Sequence, residues 1–276
     1  MSALRRKRTT NLALNVLTIG LALLIFFPIF WMIVTSFKTE ADAFAYPPAL
    51  LFQPVWDNWD NALNNSPYVE HLVNTLLLTV FATAAALALG FPAAYSLAFY
   101  PGKRANGTLM WMMSTRMLPP VGVIVPLYAI FKTLGLFDTH LGLVLLYTAI
   151  NLPLVVWMMR SFMLDLPYET LEAGRIDGAS LWQELRLIVL PLCIPGLMAT
   201  ILLCFIFTWN EFFLAFNLTV TDAAPLSVYI SSFKTSEGLF WAKMSAAATL
   251  TVAPVILAGW VAQRQLVRGL TAGAIK

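Results

Sequence analysis

Charge is what this sequence has least of: only 11% of its 276 residues are Asp, Glu, Lys or Arg. Soluble domains carry about 25%, so a water-soluble core of this length is excluded and a membrane class is indicated. Cysteine is nearly absent too. Cys193 and Cys204 show no CxxC or other metal-ligand spacing, which excludes a disulfide scaffold or zinc module and leaves two buried small hydrophobes. No lysine lies in a GxxxxGK[ST] phosphate loop; Gly102-Lys103 lacks both the first Gly and the hydroxyl residue. The chain therefore supplies no nucleotide hydrolysis of this kind. The two histidines, His71 and His140, fall outside the apolar runs, and no nucleophile–base pair, carboxylate pair or metal set occurs within those runs. That argues against an intramembrane enzyme and leaves the catalytic and metal sites empty.

What the sequence has is long apolar runs. A hydrocarbon core of about 30 Å needs roughly 20 apolar helical residues, and six stretches qualify: about 11–34, 73–100, 109–131, 141–163, 194–217 and 244–261. Pro119-Pro120 interrupts the third. Arg5, Arg6, Lys7 and Arg8 precede the first, but its apolar run is too long for a signal-peptide core and no small-residue cleavage site follows. With the N-terminus inside, twelve Lys and Arg fall in inner segments, four in outer segments and Arg116 in the third span. The positive-inside rule then puts both termini in the cytoplasm. The expected fold is an all-α integral membrane protein with six transmembrane helices. It forms a single domain over 1–276 with its core at about 69–262. The first outer loop, about 38–72, is rich in Pro and Trp and reads as a folded flap.

The most charged stretch is the inner loop 165–191, DLPYETLEAGRIDGASLWQELRLIVLP. Pro167 suits a first helical position, and Glu169 and Glu172 favour the positive end of a helix. Gly178 suits a left-handed stop, and Ser180 with Gln183 forms a capping box. The pattern predicts helix, tight turn, helix at the membrane surface. An amphipathic connector fits equally well on pattern alone.

A resemblance to a known family favours the first. Glu172-Ala173-Gly174, then Gly178, then Ile188, Leu190 and Pro191 resembles the EAA loop of bacterial ABC importer permeases, with Gly174 where the pattern has a second Ala. The Trp209-Asn210-Glu211-Phe212 segment and the C-terminal QRQLVRGLTAGAIK are similar to maltose-type carbohydrate permeases, so the resemblance covers nearly the whole chain. Phe37-Lys38-Thr39 and Arg116-Met117-Leu118-Pro119-Pro120 are nearest to polyol and monosaccharide systems. The resemblance implies a multi-pass permease of the bacterial inner membrane, whose EAA loop between the fourth and fifth helices is a cytoplasmic coupling helix. Glu172, Ala173, Gly174 and Gly178 would contact an ATP-binding subunit, with Arg175 and Asp177 as neighbouring polar partners. It implies as partners a second permease, a homodimeric ATPase holding ATP-Mg, an extracytoplasmic solute-binding protein, a sugar or polyol, and membrane lipid. Nucleic acid is not among them, and this chain holds no cofactor itself. The tail 269–276 either reaches into the ATPase dimer or is a frayed end.

Charges at bilayer depth are functional candidates. Glu211, with Trp209 and Asn210, and Arg116, beside the Pro119-Pro120 break, are the tentative substrate-pathway residues. A structural role, Glu211 bonded to a neighbouring helix and Arg116 near the headgroups, is the alternative for both. A secondary transporter, the rival function, needs an intramembrane ion relay, and Glu211 alone could serve it.

Overall fold

A computed structural model describes residues 2–235 and 238–272. In chain order the helices are α1 (Ser2–Thr35), α2 (Glu40–Phe44), α3 (Asp57–Asn64), α4 (Tyr68–Phe99), α5 (Ala105–Arg116), α6 (Pro120–Thr133), α7 (His140–Leu164), α8 (Tyr168–Ile176) and α9 (Leu181–Gln183). A π-helical turn, Glu184–Val189, leads to α10 (Leu190–Leu192), α11 (Ile194–Trp209), α12 (Phe213–Leu218) and α13 (Leu226–Ser231). Two-residue strands β1 (Lys234–Thr235) and β2 (Gly238–Leu239) pair antiparallel before α14 (Trp241–Ala272). Among the described residues four helices are long and apolar enough to cross a membrane. The number rises to six if α5 with α6 and Leu181–Leu192 with α11 each count as one bent span.

The expected third span is thus two helices meeting at 89°. Pro119 holds an extended φ/ψ of −66°/126° and Pro120 starts the next helix, as a ring that fixes φ and lacks an N–H requires. The expected fifth span also differs: α11 stops at Trp209 and the chain is non-helical until Phe213. The sixth is longer than expected, running from Trp241 to Ala272. Residues 273–276 of the C-terminal tail lie outside the described residues.

The chain divides into two compact units. One comprises 1–68 and 230–253 and contains the predicted flap. Thr39 caps α2 by accepting from the Asp42 N–H. The Asn58 amide donates to the carbonyls of Ser36 and Lys38 at 3.0 and 2.8 Å, while Phe37 lies against Trp56 and Trp59. The Lys38 ammonium is buried over the Trp31 ring at 4.4 Å. The Glu40 carboxylate accepts from the backbone N–H groups of Ala242 and Lys243, satisfying donors that the first turn of α14 leaves free.

The other unit comprises 69–229 and 254–276. Along α4, Ala82, Ala86, Gly90, Ala94 and Ala98 recur every fourth residue, and all are buried. Such a ladder of small side chains lets apolar helices approach closely. A Cβ on Gly90 would lie 2.6 Å from Val155 Cγ1 of α7, which requires Gly at that crossing. One core joins Ala86, Tyr95, Val155, Met159, Leu171, Val189 and Cys204. A second joins Leu78, Phe131, Tyr147, Leu214 and Leu218. Both cysteines are free and buried, as their apolar surroundings predict.

Candidate functional site

Helix α8 ends as its sequence directs. The Ala179 N–H donates to the Gly174 carbonyl and the Gly178 N–H to the Arg175 carbonyl, with Gly178 at φ +84°. This is a complete Schellman closure, which wants a residue without Cβ at the left-handed position. Ser180 and Gln183 then form the expected reciprocal capping box. The second short helix departs from expectation: after three α-helical residues it widens into the π turn, and at Cys193 the chain bends by 79° into α11.

Glu172, Ala173, Asp177 and Gly178 are exposed, while Gly174 and Arg175 are partly buried. Three apolar side chains that sequence reasoning did not single out are also exposed here: Ile176 at 85%, Leu181 at 61% and Trp182 at 64%. A Cβ at Gly174 would meet Ile188 Cδ1, the far end of a flexible side chain, which would have to move aside. Gly174, Asp177, Gly178, Gln183 and Ile188 line a shallow notch of about 310 Å³.

Arg175 points inward. Its Nε and Nη2 donate to Glu184 Oε2 and Oε1 at 2.8 and 2.9 Å, and Nη1 donates to Tyr168 Oη at 3.2 Å. Glu184 is completely buried, and Tyr95 Oη of α4 donates to its Oε1 at 2.7 Å. The guanidinium holds the Glu184 carboxyl below the usual carboxylate range, helped by the Tyr95 hydroxyl against the effect of burial. Removing one partner of a buried pair costs about 3–5 kcal/mol, because a charge is left without compensation. Sequence reasoning missed Glu184 and Tyr95. A charge within the most charged loop signals solvent, and the Tyr95 partner lies 89 residues away.

The residues near the interrupted spans separate into two groups. Arg116 and Glu211 line one cavity of about 620 Å³ together with Thr115, Pro120, Pro126 and Ile150. Arg116 stacks over the Phe207 ring at 4.9 Å. The Glu211 carboxylate accepts from the Leu214 and Ala215 N–H groups and from Tyr147 Oη at 2.8, 3.0 and 2.8 Å. It thus caps α12 and ties it to α7. Trp209 is buried and stacked on Phe205, and the Asn210 amide donates to the Ile206 carbonyl; neither lines the cavity. Nearby, Asn151 donates to Thr208 Oγ1 at 2.8 Å, a polar crosslink between α7 and α11.

A further polar cluster joins the N-terminal part of α4 and the start of α7 to the segment 218–226. Asp138, at φ 54°, accepts through its carboxylate from the N–H groups of Val220, Thr221, Asp222 and Ala223 at 3.0–3.3 Å. Burial works against ionisation there, but the four donors outweigh it and hold the carboxyl below its ordinary value. Asn74 donates to the carbonyls of Asp222 and Ala224 and takes a hydrogen bond from His140 Nε2 at 2.7 Å.

Comparison with known proteins assigns the chain. Residues 86–270 match the family described as "Binding-protein-dependent transport system inner membrane component". A probable ABC transporter permease protein, y4oR, of Sinorhizobium fredii is 34% identical over 93% of this chain and 92% of its own length. The trehalose transport system permease protein SugB of Mycobacterium tuberculosis is 33% identical over 98% of each. Among solved structures, a chain of a bacterial ABC transporter that imports the acidic polysaccharide alginate superposes with a TM-score of 0.78 at 24% identity, covering 95% of this chain and 98% of that one. This chain belongs to the binding-protein-dependent transport system inner membrane components and is a multi-pass ABC importer permease of the inner membrane.

Proposed function

We propose that this chain is one of two permease subunits of an ATP-driven importer of sugars or polyols. It provides half of the translocation path and couples it, by alternating access, to a separate homodimeric ATPase that holds ATP-Mg. The two bent helix pairs support six spans, with the limb Leu181–Leu192 of the second pair lying along the cytoplasmic membrane surface before the bend. The excess of Lys and Arg in the inner segments supports a cytoplasmic location for both termini and the 165–191 loop, with the outer loops on the side from which a solute-binding protein approaches. The carbohydrate assignment leans on the trehalose permease and the alginate importer among its relatives.

One observation carries the coupling reading: α8 turns a rim of exposed Glu172, Ala173, Asp177 and Gly178, flanked by bare Ile176 and Trp182, away from its own fold. Its opposite edge is anchored by buried Leu171 and by Arg175. A short rigid helix with small residues and a charged edge suits a cleft on a partner, where charges fix register. ATP then shifts the balance between inward- and outward-open states through differential contacts.

In the translocation path, Arg116 faces the cavity and Glu211 positions α12 on its wall. Trp209 and Asn210 act from behind, holding the non-helical turn at 210–212. Backbone of that kind is tolerated at bilayer depth where it lines a cavity. Purification of the tagged chain from its native membrane should recover an ATPase pair and a second permease, with ATP-dependent uptake of a sugar or polyol once the binding protein is added. Recovery of this chain alone, with uptake driven by an ion gradient, would replace this reading with a secondary carrier. Unchanged uptake in Glu211→Gln and Asn210→Ala would remove those two from the path.

A further inference from the structure

Helix α8 is held to its own subunit by few attachments. Leu171 is its one fully buried side chain, and Glu172, Ala173, Ile176 and Asp177 face outward. An apolar contact such as that of Leu171 is non-directional and lets a helix slide or roll. A further attachment is directional. Arg175 grips both carboxylate oxygens of Glu184, and Tyr95 of the long helix α4 donates to that same carboxylate. Bidentate, charge-assisted contacts of this kind have a narrow geometry.

Two features show that this is more than filling. A buried ion pair is weak evidence of stability, because apolar residues of similar volume often serve as well or better. Glu184 nevertheless has no exposed surface and opens the π turn Glu184–Val189. Single π turns are rare and occur frequently at functional sites in helices. The carboxylate therefore sits where an exposed helix, a helix of membrane-spanning length and a deformable turn meet.

We propose that Arg175, Glu184 and Tyr95 form a drawbar that carries displacement of α8 to α4, making Glu184 and Tyr95 positioning residues for energy coupling. The inference rests on the reading of α8 as the ATPase-docking helix. When α8 is moved, α4 follows because the three groups keep one geometry, and the π turn absorbs the change of path toward α11.

The test uses the assembled importer with its ATPase and binding protein in proteoliposomes. Solute transported per ATP hydrolysed is measured at matched amounts of intact complex, a ratio that a loss of folded protein does not move. Tyr95→Phe removes one hydrogen bond and little volume; it should keep the ATPase bound and lower the ratio about tenfold, the scale of one hydrogen bond to a charged group. Glu184→Gln should lower it further. The pair Arg175→Met with Glu184→Met refills the site with apolar volume and should recover thermal stability without recovering the ratio. A normal ratio in Tyr95→Phe, or in the stable Met pair, overturns the drawbar. Gly178→Asp separates the two readings. If it releases the ATPase while Tyr95→Phe behaves as the unaltered protein, only the drawbar fails; if it too couples normally, the docking assignment itself is wrong.

Discussion

Gly178 separates conformation from contact at the rim of α8. Its φ of +84° costs a residue with a Cβ about 1–2 kcal/mol. An alanine recovers about 0.4–1 kcal/mol of that by restricting the unfolded chain. The net cost of Gly178→Ala is therefore about 1 kcal/mol, or roughly a fivefold loss of the closed Schellman form. Asn and Asp adopt left-handed backbone more readily, so Gly178→Asn and Gly178→Asp add bulk with little strain. Within this chain that bulk has room, because a Cβ at 178 meets nothing within 4 Å. Any large loss from Asn must then come from a surface supplied by another molecule, and Asp adds a second charge beside Asp177. Titrating the ATPase onto the permease in lipid nanodiscs should show affinity about fivefold weaker for Ala and far weaker for Asn and Asp. Binding by Asn and Asp as tight as that of the unaltered chain would refute a partner surface at this position. A loss in Ala exceeding that in Asp would mean that backbone shape alone matters.

The remaining predictions test packing and charge. Gly174→Ala alone should leave stability nearly unchanged, since Ile188 Cδ1 must move aside; combined with Ile188→Val it should raise the melting temperature, as Ala is favoured over Gly in helices by about 1 kcal/mol. Gly196→Ala drives a methyl into the Phe162 ring and should destabilise by about 1–3 kcal/mol, the usual cost of overpacking, visible as a lower melting temperature in detergent. Asp138→Asn keeps a side chain that tolerates positive φ and removes the charge. Because the Asp138 carboxyl is held below its ordinary value, its contribution is full above the ordinary carboxylate range and fades as pH falls through the folded value. The melting temperatures of Asp138→Asn and the unaltered protein should differ at neutral pH and converge below about pH 4; a constant gap would rule out the charge as the cause.

What could be read in the sequence was what local chemistry decides. Gly178, Ser180 and Gln183 specify a stop and a start within six residues, and both closures form as written. Pro119-Pro120 announced an interruption, although the 89° turn depends on how α5 and α6 pack. The end of α11 was hidden because the apolar run continues through Phe212, Phe213 and Leu214. It is the Glu211 carboxylate, capping α12 and held by Tyr147, that lets a second helix start there. Nor could composition show that Glu184 is buried or that Lys38 lies over Trp31, since each depends on partners brought together only by tertiary packing. Arg116 and Glu211 share a cavity although they are 95 positions apart.

The apolar stretch Leu14–Thr35 of α1 contains an 18-residue window in which no residue is buried, whereas half of the corresponding window of α7 is. Hydrocarbon solvates Leu, Ile and Phe as well as a protein interior does, so nothing within this chain's own fold fixes the order of residues over that window. Where lipid alone covers the helix, permuting residues 14–27 should be silent although the same shuffle along α7 is lethal; loss of assembly with the second permease would show that the partner packs on this stretch. Within their own subunit the two helices thus write under different grammars: one is a word whose letters can be rearranged, the other a word that must be spelled.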